Sequence, residues 1–132
     1  MTRSRWTHVS LRLLVITIAL LPLAGRAADA PKPGPFQPVG LWRFHHTDGT
    51  PFLARLMADQ SATTDWGGGE RGIWRWEGAR VRVVYTDGWD DVLYLRDGRF
   101  RKAGYEPNAD RCGTSSNDTG AEKLSDDPAA TR

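Results

Sequence analysis

Three neighbouring side chains are of the types that bind metal ions or transfer protons. They are His45, His46 and Asp48. The two histidines fall in a predicted strand, where consecutive side chains point to opposite faces, so both imidazoles cannot easily reach one ion. We therefore expect His46 at the rim of the core side and His45 in solvent. The sequence predicts neither a metal site nor a cofactor.

A second cluster consists of carboxylates around Gly88 and Trp89, namely Asp87, Asp90 and Asp91. Such carboxylates could act in pairs on a glycosidic bond or bind calcium, but the spacing of a calcium loop with its terminal glutamate is absent. Hydrogen bonds to the local backbone already explain aspartate in a turn. The sequence also contains no G-x-S-x-G, phosphate-binding loop or H-E-x-x-H motif. It predicts a protein that is not an enzyme.

Tryptophan is unusually frequent, with six residues in 132. Inward strand parity is predicted for Trp42, Trp74 and Trp76. Trp66 lies beside the glycine run 67–69 and Trp89 lies in a loop, so these two are candidates for a ligand-facing surface, with plain packing at the barrel ends as the alternative. Together with the nearby polar groups of Asp87 and Asp90, they form the predicted ligand-binding set.

An arginine-rich patch is predicted on the outer face of the sheet around Tyr94. Its members are Arg75, Arg80, Arg82, Arg99 and Arg101. Such a patch could bind an anionic partner, but four arginines and only one acid lie in the first 30 residues, so residues 31–132 hold 14 basic and 15 acidic side chains. A chain close to neutral does not have the positive excess of a nucleic-acid binder. We expect these arginines to keep the sheet face in solution.

The elements that position these residues are strands. Turn signals such as Asp48-Gly49, Asp87-Gly88 and Asp97-Gly98 recur about every 8 to 12 residues between β-rich segments, which is typical of an antiparallel meander. The predicted strands are 40–46, 52–58, 62–66, 72–76, 80–85, 92–96 and 100–105. About seven short strands with one apolar face predict an all-β domain, either a small barrel or a strongly curved sheet.

Alternation of side chains assigns the two faces of this sheet. The inward positions of neighbouring strands fall on one face if the connections have suitable lengths. These are two-residue turns at Glu77-Gly78 and Asp97-Gly98 and a three-residue loop at 87–89. A five-residue loop at 47–51 has the suitable length for the first two strands. The predicted core then contains Trp42, Phe44, Phe52, Ala54, Leu56, Trp74, Val81, Val83, Leu93 and Leu95.

The first 30 residues resemble a secretory signal peptide. A basic start is followed by an apolar stretch of about 11 residues, Leu13 to Leu23, which is too short to cross a bilayer as a stable helix, and then by small residues. Cleavage is predicted after Ala27 or Ala30. We therefore expect a secreted or periplasmic protein that is not inserted in a membrane after cleavage.

The mature chain divides into three parts. Residues 31–38 hold four prolines and are predicted to form an extended spacer, and residues 39–106 form the all-β domain. Residues 107–132 contain no aromatic residue and are predicted to be a disordered polar tail. The single Cys112 lies in that tail and excludes a disulfide framework. It leaves a monomer or a weak dimer as the expected state.

The start of the first strand, Gly40-Leu41-Trp42, followed by a meander of short strands, resembles calycin-type barrels such as lipocalins and avidins. The resemblance implies a barrel but no ligand, because the lipocalin disulfides and the polar biotin-contacting residues of avidins have no counterparts here. The segments 72–74, 86–89, 102–103 and 105–107 are also similar to small secreted bacterial β proteins of unassigned function.

Two functions follow as hypotheses. The first is an exported, non-catalytic domain that binds a carbohydrate or a small apolar ligand through Trp66, Trp89 and the adjacent loops. The alternative is a periplasmic protein inhibitor of a hydrolase, which would insert the loops at 47–51, 67–71 and 86–91 into the cleft of the enzyme.

Overall fold

The computed structural model describes residues 34–131. The predicted signal peptide and residues 31–33 lie outside that range. Within it, the chain forms nine strands and no helix, and hence no helix able to span a membrane. The strands are β1 (Gly40–His45), β2 (Pro51–Leu56), β3 (Ser61–Thr64), β4 (Arg71–Glu77), β5 (Arg80–Tyr85), β6 (Asp90–Arg96), β7 (Arg99–Tyr105), β8 (Asn117–Gly120) and β9 (Glu122–Ser125).

All strand pairs are antiparallel, and consecutive strands from β1 to β8 are neighbours in one sheet. The fold is therefore the predicted all-β meander, curved into a nearly closed barrel. Its inner face carries the alternating apolar side chains of the strands, which form one core. The fully buried members of that core include Trp42, Phe44, Leu56, Val81, Val83 and Leu93. Leu95, which was predicted to be in the core, is 42% exposed.

The turns keep the predicted faces but shift some registers. At the Asp97-Gly98 turn, Leu95 pairs with Phe100 as predicted, and both turn residues have positive φ (52° and 71°), as the tight hairpin turn requires. Between β4 and β5 the closing pair is Glu77 with Arg80, so the turn residues are 78 and 79. The partner of each residue therefore moves by two positions, which keeps the side-chain parity, and Trp74, paired with Val83, still points to the inner face.

The chain segment 117–125 closes the sheet. Its first half, β8, pairs with β7, and its second half, β9, pairs with β1, with only Ala121 between them. The backbone N–H of Ala121 donates to the carbonyl oxygen of Phe100 at 3.0 Å. The prediction of a disordered tail over 107–132 is therefore wrong, and the sheet has nine strands where about seven were predicted. Main-chain hydrogen bonds stabilise this segment, and they need no apolar side chains.

The segment before β1 closes one end of the barrel. The ring of Phe36 lies 5.1 Å from that of Trp76 and 5.2 Å from that of Phe100 (centroid distances), and the indole N–H of Trp42 donates to the carbonyl oxygen of Pro38 at 2.8 Å. The prediction of an extended spacer up to residue 38 is therefore wrong from residue 34 onward. The prolines keep this segment out of the sheet. The carbonyl group of Pro38 and the ring of Phe36 nevertheless hold the segment against the core.

We predict that removing residues 116–132, which contain both closing strands, lowers the melting temperature by at least about 10 °C. The reason is that β1 and β7 each lose a hydrogen-bonded neighbour. Thermal unfolding followed by circular dichroism measures this. Removing only residues 127–132 is the control, and it should have a much smaller effect. Equal melting temperatures for the full chain and the longer deletion would contradict the closure.

We also predict that Phe36→Ala lowers the free energy of unfolding by about 2 kcal/mol, because the substitution removes a half-buried ring that packs against three aromatic side chains. Urea denaturation measures the change. Gln37→Ala is the matched control, since the neighbouring side chain is exposed, and it should change stability by less than about 0.5 kcal/mol. A loss equal to that of the control would show that this segment is only a spacer.

Candidate functional site

A cavity of about 400 Å³, open mouth included, lies at the barrel end opposite Phe36. The loops after β1, β3 and β5 and the start of β8 surround it. Its walls are mainly aromatic and consist of His46, Phe52, Trp66, Tyr85 and Trp89. Asp91, Lys102 and Asn117 supply polar groups, and Thr64, Glu70 and Asp87 complete the lining.

The aromatic wall is built around His46. Its ring stacks on Trp66 at 4.1 Å between centroids and 8° between planes, and lies 5.6 Å from the ring of Trp89. Phe52 lies 5.7 Å from Trp66 on the same wall. His46 therefore extends the aromatic surface of the two tryptophans.

Short turns fix the positions of both tryptophans. The Trp66 carbonyl accepts a hydrogen bond from the N–H of Gly69 at 2.9 Å, and the positive φ of 91° at Gly69 is one that L-residues rarely adopt. The Asp87 carboxylate accepts from the N–H of Trp89 at 3.0 Å, and the Trp89 carbonyl accepts from Tyr85 N–H. Both indoles are therefore held by backbone hydrogen bonds within their own loops.

A buried ion pair lies inside the barrel at the base of this cavity. The Lys102 ammonium is 3.2 Å from Oδ1 of Asp91, and the Tyr85 hydroxyl donates to Oδ2 of the same carboxylate at 3.1 Å. Lys102 also lies 5.5 Å above the ring centroid of Phe52. All three polar side chains are nearly inaccessible to bulk water, so the pair has few water molecules to screen it.

Burial shifts the protonation of this group. Desolvation raises the pKa of Asp91 above its ordinary value, while the charge of Lys102 and the hydrogen bond from Tyr85 oppose that rise. Burial, and then the Asp91 charge, raise the pKa of Tyr85 well above its usual range. Tyr85 therefore stays protonated and acts as a hydrogen-bond donor to the carboxylate.

The Asn117 amide is the unsatisfied group of the site. Its Nδ2 donates to the hydroxyl of Thr47 at 3.0 Å, but Oδ1 is buried and accepts no hydrogen bond. Asn117 pairs with Gly104 of β7, where an added Cβ would come within 2.6 Å of the amide nitrogen. The missing side chain at Gly104 thus makes room for an amide at the cavity.

Three of the four predicted ligand-binding residues, Trp66, Trp89 and Asp87, line the cavity. Asp90 does not, because it points to the outer face, where it forms ion pairs with Arg82 at 3.1 Å and with Arg111. Its neighbour in sequence has the opposite parity and lies inside. His46 lies at the rim and His45 points away, as expected. Among residues 34–131, no cluster of His, Cys, Asp and Glu could hold a metal ion.

Sequence reasoning missed Asp91, Lys102 and Asn117 as site residues. Parity could have revealed two of them: residue 102 is two positions from an inward Phe100, and residue 91 is two positions from an inward Leu93. Both were overlooked because charged side chains are rarely buried unless they are paired. The sequence around Asn117 does not indicate a site residue, since its segment has the polar composition of a disordered tail.

The arginines of the outer face have intramolecular partners. Arg101 donates to Asp118 at 2.7 Å, and Arg75 and Arg82 both donate to Glu77. Arg80 and Arg96 lie above the Tyr94 ring at 5.6 and 5.3 Å from its centroid. Among the described residues all of the predicted patch except Arg99 therefore have intramolecular partners, and the face is partly buried rather than fully solvated, since Val92, Tyr94, Ala103 and Tyr105 form a second buried cluster there.

No family model matches the chain, and no curated protein or solved structure is significantly similar to it.

We predict that Asp91→Asn lowers the free energy of unfolding by about 3 kcal/mol at neutral pH, because it leaves a buried ammonium without its counter-charge. The double variant with Lys102→Met should lose less than the sum of the two single variants. Urea denaturation of all four proteins gives the coupling energy. Asp87→Asn, at the exposed mouth, is the matched control and should cost less than about 1 kcal/mol. Additive losses would exclude a coupled pair.

Proposed function

We propose that this protein is an exported, non-catalytic binding domain that takes a carbohydrate or a small apolar ligand into the cavity between Trp66 and Trp89. The observation that carries the proposal is the contrast within one cavity. Its walls are aromatic, while its polar lining includes a buried ion pair and an amide oxygen that accepts no hydrogen bond within residues 34–131. Concave, mostly apolar sites with a few convergent polar groups are typical of small-ligand binding.

Binding is favoured over catalysis because the two aspartates of the lining already have structural partners. Asp91 is engaged by Lys102 and Tyr85, and Asp87 caps the turn that holds Trp89. The hydroxyl of Thr64 accepts from two backbone N–H groups of the neighbouring loop. Among residues 34–131, no serine, cysteine or threonine of the lining is hydrogen-bonded to a general base, and the raised pKa of Tyr85 makes its hydroxyl a poor nucleophile.

The arrangement of loops supports the second candidate, an inhibitor of a hydrolase. The loops that follow β1, β3 and β5 lie at one end of the barrel, and internal hydrogen bonds shape each of them. Rigid loops on one face can enter an enzyme cleft with little loss of conformational freedom. In that case the mature protein should inhibit a secreted hydrolase and leave small ligands unbound.

Tryptophan fluorescence of the mature chain tests the first proposal, with cyclohexylmethanol and the methyl glycosides of glucose, galactose and mannose as probes. We predict a saturable change with at least one probe, and about a tenfold weaker affinity in Trp89→Ala, because the stacking surface is lost. Trp76→Phe is the control, since Trp76 lies at the opposite end of the barrel, and it should bind like the wild type.

A wild-type protein that shows no saturable change with any of the four probes would refute the small-ligand proposal. Equal affinities of wild type and Trp89→Ala would refute the assignment of the cavity. Melting temperatures of both variants establish that a lost response comes from the site and not from unfolding.

A further inference from the structure

Given the proposed function, we infer that the cavity selects a single sugar ring without negative charge, rather than a hydrocarbon ring. The inference rests on that proposal and concerns the chemistry of the ligand alone. Three observations carry it: the mixture of donors and acceptors at the base, the unsatisfied oxygen of Asn117, and the charges at the mouth.

The polar groups of the cavity are best complemented by a ligand whose groups both donate and accept hydrogen bonds. The Lys102 ammonium has three N–H groups and a single anionic partner, Asp91, among the described residues. The Asn117 Oδ1 has no hydrogen-bond donor within residues 34–131. A hydroxyl group can accept from the ammonium and donate to the amide oxygen, and adjacent hydroxyls can do both at once. A hydrocarbon would leave these groups unsatisfied, which is costly in a buried site.

The walls match the remaining surface of such a ring. The C–H faces of a sugar are flat and apolar, and the indoles of Trp66 and Trp89 offer flat apolar surfaces beside His46. The volume of about 400 Å³ includes solvent at the open mouth, so the enclosed part of the cavity is smaller than that. We therefore infer that at most one ring, such as the end of a chain, enters the barrel, and that the rest of a longer ligand stays outside.

Charge at the mouth excludes acidic ligands. Asp91 and Lys102 neutralise each other at the base. Glu70 and Asp87 line the cavity and form no ion pair within residues 34–131. Their two carboxylates leave a negative potential where a ligand enters, so an anionic sugar meets like charge.

Titration calorimetry of the mature protein tests this inference. The probes are the three methyl glycosides, the methyl glycoside of glucuronic acid, and cyclohexylmethanol. We expect at least one neutral glycoside to bind about tenfold more tightly than cyclohexylmethanol and than the glucuronide at low salt. Added salt should reduce the difference in affinity between the neutral glycoside and the glucuronide, because it screens the carboxylates at the mouth. It should not change the difference between the neutral glycoside and cyclohexylmethanol.

Asn117→Leu should weaken the binding of the neutral glycoside about tenfold and that of cyclohexylmethanol much less, because the ring of the glycoside has several hydroxyl groups to bind Lys102 and Asn117 together, whereas cyclohexylmethanol has one. Gln37→Leu, an exposed amide at the opposite end of the barrel, is the matched control and should change neither affinity. Asn117→Ala repeats the measurement with a smaller side chain if leucine does not fit beside Gly104.

The outcomes separate this inference from the proposed function. Binding of cyclohexylmethanol at least as tight as that of every glycoside overturns the inference and leaves a small-ligand site in place. Glucuronide binding as tight as that of the neutral glycoside overturns its charge selectivity. If none of the five probes binds, both the inference and the proposed function on which it rests are refuted.

Discussion

The backbone pairing of residues 117–125 with two strands is the constraint on which the rest of this structure depends. Without it, the sheet would have two open edges at β1 and β7, each a row of unpaired N–H and C=O groups. With it, both strands have partners on either side, and the curved sheet encloses one core. The same segment delivers Asn117 to the cavity. Closure of the barrel and construction of the site are therefore one structural event.

The two ends of the barrel differ, since one is filled by side chains and the other is open. Phe36 fills one end by packing on Trp42, Trp76 and Phe100, so that end is part of the core. At the other end no segment of the described residues 34–131 enters, and aromatic side chains surround an opening with a charged pair at its base. This asymmetry explains why so small a domain has so many aromatic residues. Some close the barrel, and others line what is left open.

Strand parity made much of the fold readable from the sequence. Alternating apolar residues and Asp-Gly turns located the first seven strands and most of their inner positions, and Trp66 and Trp89 lie in loops at the barrel end where the cavity is found. The two closing strands escaped notice because their pairing relies on backbone groups, which every sequence has. Asp90 was chosen in place of Asp91 because a one-residue difference decides the face of the sheet, and composition does not reveal it.

The contacts of β9 with β1 and with the segment before β1 have a consequence for folding. Lys123 donates to the carbonyl oxygen of Gln37 at 2.9 Å, and β9 pairs with β1, so contacts essential to the barrel join residues more than 80 positions apart. Contacts of such long sequence separation raise the contact order and slow the search for the native state. A growing chain cannot complete this barrel before residue 125 has emerged. Until then β1 and β7 are open edges of the sheet, so the unfinished barrel is exposed to edge-to-edge association with other chains.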